Sequence, residues 1–138
     1  MTRILRPLHR LASNARAAAL VEFALVSPVL FAMLIGIAEL GILFLANSGL
    51  TSAVEDAARY ATIYPRPTQS AIISRISSNR WGLNPASITG PTVTFNTTAS
   101  PKYVDISMSY NITINYVLGS RTITLTQSRR AYCTDYSS

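Results

Sequence analysis

Histidine and cysteine, which supply many metal and nucleophilic sites, each occur once in this chain, as His9 and Cys133. A lone histidine excludes a histidine metal cluster, and its place in an arginine-rich N-terminal stretch makes a Ser-His-Asp triad implausible. A lone cysteine excludes an intrachain disulfide and leaves two alternatives, a free thiol or a bond to another chain. Glycine-rich phosphate-binding motifs are also missing from the sequence. We therefore predict no enzyme, no cofactor, no metal and no small-molecule substrate.

Acidic residues are scarce as well. The sequence has six Asp and Glu against twelve Lys and Arg, which gives a net charge of +6. Such a balance is typical of nucleic-acid-binding proteins, but four of the basic residues lie within the first sixteen positions. No basic stripe or aromatic platform accompanies them, so we predict no nucleic-acid partner.

Charge is almost absent from the apolar run between Arg16 and Ala46, where Glu22 and Glu39 are the only ionisable side chains. A bilayer span needs about 20 apolar residues, so the run predicts one transmembrane helix, which we place at residues 18–48. An ordinary signal peptide, cut after the Ala46-Asn47-Ser48 triplet, is an alternative. Its apolar core is usually only about 7 to 15 residues long, which disfavours it.

The charges on either side of the run predict its orientation. The residues before it include four arginines and no acid, whereas Glu55 and Asp56 follow it before the first base, Arg59. Positive charge favours the cytoplasmic side, so we expect the N-terminus in the cytoplasm and residues 49–138 outside it. The four arginines are Arg3, Arg6, Arg10 and Arg16.

The apolar helix is predicted to continue outside the membrane. Spacings of four and three residues place one apolar stripe along it, and Tyr64 before Pro65 favours an end there. We therefore expect a single helix from about Ala18 to Ile63, with Glu55 and Arg59 placed for an ion pair one turn apart. The stripe comprises Leu50, Val54, Ala57, Ala61 and Tyr64.

A short second helix is predicted between Pro67 and Ser78, because isoleucines recur there at helical spacing. Residues Asn79 to Pro91 are rich in turn formers and predict a loop. Trp81 lies in this loop. We favour its role as a hydrophobic anchor of the domain over an exposed adhesive contact.

The rest of the chain alternates between apolar and polar residues, from Val93 to Thr97 and again from Val104 to Tyr116. Gly119-Ser120 fits a two-residue hairpin turn, which would place Leu118 opposite Arg121 and shift every later pair accordingly. The fold class is therefore α+β. It combines one long helix, part transmembrane and part amphipathic, with a short helix and an antiparallel sheet of three or four strands that packs on both.

Three segments together resemble a known family. They are AAALVEF at residues 17–23, IAELG at residues 37–41 and AVEDAARYAT at residues 53–62. The chain is similar over residues 16–64 to the TadE-like family of minor pseudopilins from tight-adherence (Flp) type IVb pili. The family usually has glycine where this chain has Ala17.

The resemblance implies specific roles at the start of the helix. A prepilin peptidase would cut between Ala17 and Ala18 and release the basic leader, residues 1–17. Glu22 and Phe23 would then stand at mature positions five and six, where they serve peptidase recognition and subunit assembly. Glu22 could neutralise the new ammonium group of a neighbouring subunit. The simpler alternative is that Glu22 only reaches the lipid headgroups.

A second set of residues is a candidate for contacts between helices of different subunits. Ala32 and Gly36 form a pair of small residues one turn apart, and Gly41 lies nearby. Glu39 falls near the outer membrane boundary, where solvation at the interface is the alternative to an intersubunit contact.

Two functions of different classes follow. The first is a minor pseudopilin in the bacterial inner membrane, or in an extracellular pilus, that acts in pilus biogenesis and adherence. Its partners would be the prepilin peptidase, other pilins or pseudopilins, the assembly machinery and the lipid bilayer. The second is an unprocessed single-span protein whose exterior domain binds a partner as a sensor or secretion accessory.

Overall fold

The computed structural model describes residues 15–116 and 119–133. Helix α1 spans Ala15–Ala61 and helix α2 spans Gln69–Ser78, followed by a short 3₁₀ turn at Pro85–Ser87. Three strands complete the fold, β1 (Ile88–Asn96), β2 (Tyr103–Tyr116) and β3 (Gly119–Tyr132). The predicted α+β class, the single long helix, the short second helix and the small antiparallel sheet are all confirmed.

Helix α1 is one continuous rod of 47 residues. At about 1.5 Å per residue it is about 70 Å long. Its C-terminal third carries the predicted apolar stripe, and Leu50, Val54, Ala57 and Ala61 are all buried. Tyr64 lies beyond the helix end and is 71% exposed, so its assignment to the stripe was wrong.

Helix α2 begins where the sequence provides a cap. The hydroxyl of Thr68 accepts a hydrogen bond from the backbone N–H of Ala71 at 3.2 Å, which satisfies one of the free donors of the first turn. Ile72 and Ile76 lie one turn apart and are buried against α1 and the sheet. The predicted apolar face of this helix is therefore confirmed.

The sheet is an antiparallel meander in the order β1-β2-β3, so β1 and β3 are its edges. Alternate side chains of the central strand face the helices and are buried, whereas their neighbours face away. These core residues of β2 are Val104, Ile106, Met108, Tyr110 and Ile112.

Strand β1 begins earlier than expected. We predicted a loop up to Pro91, but Ile88 and Thr89 already pair with β2, and the register then shifts between Thr89 and Thr92. Gly90 has a positive φ of 96°, which glycine adopts freely, and together with Pro91 it forms the irregularity. An edge strand tolerates proline because one row of its N–H groups has no partner strand.

The hairpin between β2 and β3 differs from the predicted one. Tyr116 pairs with Gly119 and Ile114 with Arg121, so Gly119 and Ser120 belong to strand β3 and do not form the predicted turn. The partner of each β2 residue is displaced by four positions from the predicted one. Because side chains alternate between the two faces of a sheet, a shift by an even number leaves each side chain on its predicted face.

Polar pairs explain the observed register. It places Asp105 opposite Arg130, whose Nε and Nη2 each donate to one carboxylate oxygen, at 2.8 and 2.9 Å. It also aligns a row of hydroxyl and amide groups on the outer face, with Ser109 to Thr126, Asn111 to Thr124 and Thr113 to Thr122 at 2.7–3.1 Å. The predicted register would break all of these contacts.

Trp81 does not fill the core. Its side chain is 70% exposed, so the predicted hydrophobic anchor is wrong, and Leu83 is the buried residue of this loop. The loop packs against α1 at Gly49. The approach is so close that a methyl group added at Gly49 would collide with the carbonyl oxygen of Trp81. Gly49 therefore allows backbone and helix to approach closely.

Strand β3 and α1 run side by side in the same direction. Gln127 donates a hydrogen bond to Asn47 at 3.2 Å, Arg129 reaches Glu55, and the Cys133 thiol lies 3.7 Å from the carbonyl oxygen of Ala61. Residues earlier in β3 therefore lie beside residues earlier in α1, so the start of β3 lies toward the apolar N-terminal part of the helix.

The end of the hairpin consequently lies beside that apolar part. At about 3.4 Å per strand residue, Arg121 lies about 20 Å before Gln127, a distance that corresponds to about 13 helical residues. In agreement, Ile114, Asn115 and Tyr116 share a cavity of about 410 Å³ with residues of α1. The helix residues are Met33, Gly36, Ile37, Glu39 and Leu40.

The close approach at Gly49 generates a prediction. Gly49→Ala should lower the free energy of unfolding by about 1–3 kcal/mol, because the methyl group must displace the backbone at Trp81. Gly41→Ala is the matched control, since nothing lies within 4 Å of its added methyl group. Chemical unfolding in detergent micelles, followed by the fluorescence of Trp81, measures both. Equal stability of the two variants would contradict the packing described here.

Candidate functional site: the apolar helix and its flanks

The residues of the predicted processing site lie in the first turns of α1. Ala17 is partly buried, and Ala18, Glu22 and Phe23 are exposed, Phe23 by 65%. Ala18 and Glu22 are four residues apart, so they occupy the same side of the helix one turn from each other. The described residues provide Glu22 with no hydrogen-bond or ion-pair partner.

The surface of α1 around and beyond this site is almost entirely apolar and uncovered. The helix is the one described element long and apolar enough to cross a membrane, with a mean hydropathy of 2.5 in its apolar window. Only 6% of that window is buried inside the fold, unlike the core helix of a soluble domain. Leu20, Leu25, Phe31, Met33, Ile37 and Phe44 are each at least 59% exposed in the isolated chain.

The candidates for helix contacts fall on two faces of α1. Ala32, Gly36 and Glu39 continue the buried stripe toward the N-terminus at spacings of four and three residues, through Leu43. Gly36 and Glu39 also line the cavity beneath the hairpin end. Gly41 lies off this stripe, although a methyl group added at Gly36 or at Gly41 would meet nothing within 4 Å. The structure thus brings three of the four together on the side that faces the protein's own hairpin.

Glu39 has an environment that its sequence position alone did not indicate. It is partly buried and lines the cavity together with Asn115 and Tyr116, a strand end more than seventy residues away in sequence. Periodicity within α1 could not show this, because the contact depends on how far the sheet extends along the helix. The length of β2, 14 residues, was the available signal.

Ion pairs connect the C-terminal third of α1 to helix α2 and strand β3. Arg75 of α2 contacts both carboxylate oxygens of Asp56 on α1, at 2.7 and 3.2 Å. Glu55 pairs with Arg129 of β3, and not with Arg59 one turn away as we predicted. Two neighbouring acids of one helix thereby hold two different elements.

These pairs shift the carboxyl groups in a consistent direction. The hydrogen bonds from Arg75 lower the pKa of Asp56 below its ordinary 3.8, against the opposing effect of partial burial. Arg130 lowers the pKa of Asp105 in the same way. Both carboxylates are therefore charged throughout the neutral range.

Cys133 is a free thiol and is buried, with 7% of its surface exposed. Its sulfur packs against the last turn of α1 near Ala61. Within the described residues, no group of three His, Cys, Asp or Glu side chains is placed to hold a metal ion. His9 and the rest of the basic leader up to residue 14 lie outside the described residues.

Comparison with known proteins connects the N-terminal part to a family. Residues 17–59 match the family model described as TadE-like protein, which confirms the resemblance inferred from the sequence. The match covers about a third of the chain, begins at the predicted processing site and ends near the end of α1. No curated protein and no solved structure matches the chain.

The Asp56 pair predicts a pH dependence of stability. A carboxyl whose pKa is lowered by folding stabilises the fold fully above its ordinary pKa of 3.8, and this contribution is lost as the pH falls through the lowered value. Asp56→Asn should therefore be less stable than the unmodified chain at neutral pH, and the difference should disappear in acid. Thermal unfolding in micelles between neutral and strongly acidic pH measures this.

Ser77→Ala is the control for that experiment, since Ser77 is an exposed, uncharged residue of the same helix as Arg75. It should reproduce the pH profile of the unmodified chain. A stability difference between Asp56→Asn and the unmodified chain that stays constant down to the lowest pH would exclude the charged pair as its cause.

Proposed function

We propose that this protein is a minor pseudopilin-like component of a tight-adherence (Flp) pilus system. It is anchored in the membrane by the apolar part of α1, is processed by a prepilin peptidase, and acts in pilus biogenesis and adherence. The TadE-like match and the long, uncovered apolar helix support a membrane-anchored, pilus-associated protein. Processing, the location of the domain outside the cytoplasm and the specific partners belong to the proposal.

One observation carries this proposal above the others. Glu22 lies in an otherwise apolar and exposed helix surface, one turn after Ala18, and has no partner within the described chain. A carboxylate within hydrocarbon is unfavourable by several kcal/mol unless it is paired. A partner for Glu22 must therefore come from the lipid headgroups, from another protein or from a charged group that only processing of the chain creates.

Cleavage after Ala17 would create such a group. The new α-amino group on Ala18 is positively charged and would lie near the inner membrane edge. In its own subunit it stands one turn from Glu22, and in an assembly it can reach the Glu22 of an adjacent subunit. Pairing offsets part of the desolvation of both charges and fixes the relative height of two helices. Glu22 would thus act in assembly, and Phe23 beside it in peptidase recognition.

The apolar surface of α1 also supports a role in assembly once the subunit has left the membrane. When a subunit leaves the bilayer, side chains such as Leu25 and Phe31 lose their lipid contacts, and helices of other pilins or pseudopilins are the surfaces of matching chemistry. The TadE-like match points in the same direction, since it connects this helix to a pilus-associated family. We therefore assign the protein a structural, non-enzymatic role.

The mature N-terminus tests the proposal. Co-expression with a prepilin peptidase, followed by mass spectrometry of the membrane-extracted protein, should yield a chain that begins at Ala18. Ala17→Leu should abolish most of this product, because a bulky residue does not fit a subsite made for a small one. Ala17→Gly, which restores the residue usual in the family, should be processed at least as well as the unmodified chain.

The assembly role needs a separate variant. Glu22→Gln preserves size but removes the charge, so membrane insertion should persist while incorporation into an assembly falls severalfold. Ser27→Ala, which changes a polar side chain of the same apolar run that has no assigned role, is the matched control. Incorporation of Glu22→Gln equal to that of the control would contradict the role of Glu22.

A second function stays open because this chain has alanine where the family usually has glycine. An intact leader in the functional protein would favour a single-span sensor or secretion accessory. A chain that begins at Gly49 would instead reveal an ordinary signal peptide.

A further inference from the structure

We propose that the end of the β2–β3 hairpin, at Tyr116 and Arg121, rests on the phospholipid headgroups of the leaflet from which α1 emerges, and so sets the outer limit of the membrane span near Gly36. The inference requires only that α1 crosses a bilayer. It is independent of processing and of a role in a pilus.

The hairpin end lies beside the apolar part of α1. Its last described residues share a cavity with the helix at Met33 to Leu40, within the apolar run that the sequence predicted to be transmembrane as far as residue 48. A span that reached residue 48 would therefore place the hairpin end inside the hydrocarbon. A membrane span as far as residue 48 and the observed position of the hairpin end are therefore compatible only if the hairpin can lie in hydrocarbon.

The hairpin cannot lie in hydrocarbon, because β3 is an edge strand. On its free side, alternate residues carry backbone N–H and C=O groups without a partner strand, and lipid offers these groups nothing to bond. Three described side chains near the end, Asn115, Ser120 and Arg121, are also exposed and polar. The hydrocarbon must therefore stop before it reaches them.

The length of the helix leaves room for this boundary. Gly36 is twenty residues after Arg16, and twenty residues of helix span about 30 Å, the thickness of a typical hydrocarbon core. Glu39 then stands about one turn outside the core, beneath the hairpin. It needs no partner within the membrane there.

The hairpin end has the composition of a membrane-interface contact. Tyr116 is 51% exposed, and its ring and hydroxyl suit the boundary between acyl chains and headgroups. Arg121 is exposed across the hairpin from Ile114, and its guanidinium group can bind lipid phosphate. The hairpin adjoins the lipid-facing helix, so the bilayer is the surface that it meets first.

Trp81, the sole tryptophan, tests the alternative boundary. Its loop contacts α1 at Leu45 and Gly49, which lie about 14 and about 20 Å beyond Gly36 along the helix. If the hairpin marks the membrane surface, Trp81 lies in water. If the span reaches residue 48, Trp81 lies at the membrane interface.

The experiment uses the full chain in vesicles of phosphatidylcholine and phosphatidylglycerol, with bromine on the acyl chains near the ester groups as a contact quencher of tryptophan. The native Trp81 should emit at a water-like wavelength and lose little intensity. In a Trp81→Phe background, Tyr116→Trp should lose more than half of its emission and shift to the blue. Tyr132→Trp in the same background is the matched control, because Tyr132 is exposed at the opposite end of the sheet.

Each outcome decides the matter. Quenching confined to the Tyr116→Trp variant supports the proposal, and Arg121→Gln should then weaken that quenching severalfold in anionic vesicles. Quenching of the native Trp81 as well would move the boundary outward and overturn it. No quenching of either position would show that the hairpin does not touch the bilayer, which overturns it too.

Discussion

The packing of one sheet face along the stripe of α1 determines the rest of this structure. Leu50, Val54 and Ala57 are buried together with the alternating apolar residues of β2, and the matched directions of β3 and α1 maintain the contact from Gln127 to Cys133. A fully buried Leu or Ile contributes about 1.5–3 kcal/mol, more than any exposed ion pair in the molecule can supply. Because the sheet follows the helix axis, the length of its strands determines how close the domain comes to the apolar end of α1.

The sequence predicted the features that depend on local periodicity. The apolar run forms one long, uncovered helix, the stripe at spacings of four and three is buried from Leu50 to Ala61 but not at Tyr64, and the alternation in β2 is confirmed. The hairpin register was not predicted correctly, because a shift of four residues leaves every side chain on its own face. Only partners far apart in sequence distinguish the two registers, above all Asp105 with Arg130. The opposite charges of these two residues could have indicated the observed register from the sequence. The glycine at position 119 instead favoured a turn at Gly119-Ser120 and so led to the wrong register.

Trp81 and Gly49 illustrate a second limit. A lone tryptophan usually fills the core of a small domain, but here Met108, Ile106 and Ile72 already occupy the space between helix and sheet. The helix side chains alone gave no reason for a glycine at position 49 either. Its role appears only when the loop from Asn79 to Asn84 is seen to place the carbonyl of Trp81 against the helix. Close backbone approach between distant segments leaves no periodic trace in a single sequence.

Two costs oppose each other where α1 enters the membrane. A boundary near Gly36 leaves Ile37, Ile42 and Phe44 outside the hydrocarbon, where exposure of each costs at most about 1.5–3 kcal/mol. A boundary near residue 48 instead immerses the free edge of β3, where every unpaired backbone group costs several kcal/mol and alternate residues present two of them. For the boundary that we propose, the free edge of β3 therefore outweighs the apolar side chains, which remain uncovered beyond Gly36. In the assembly role proposed above, that uncovered segment is the part of the helix that a neighbouring subunit can cover before the rest of α1 has left the bilayer.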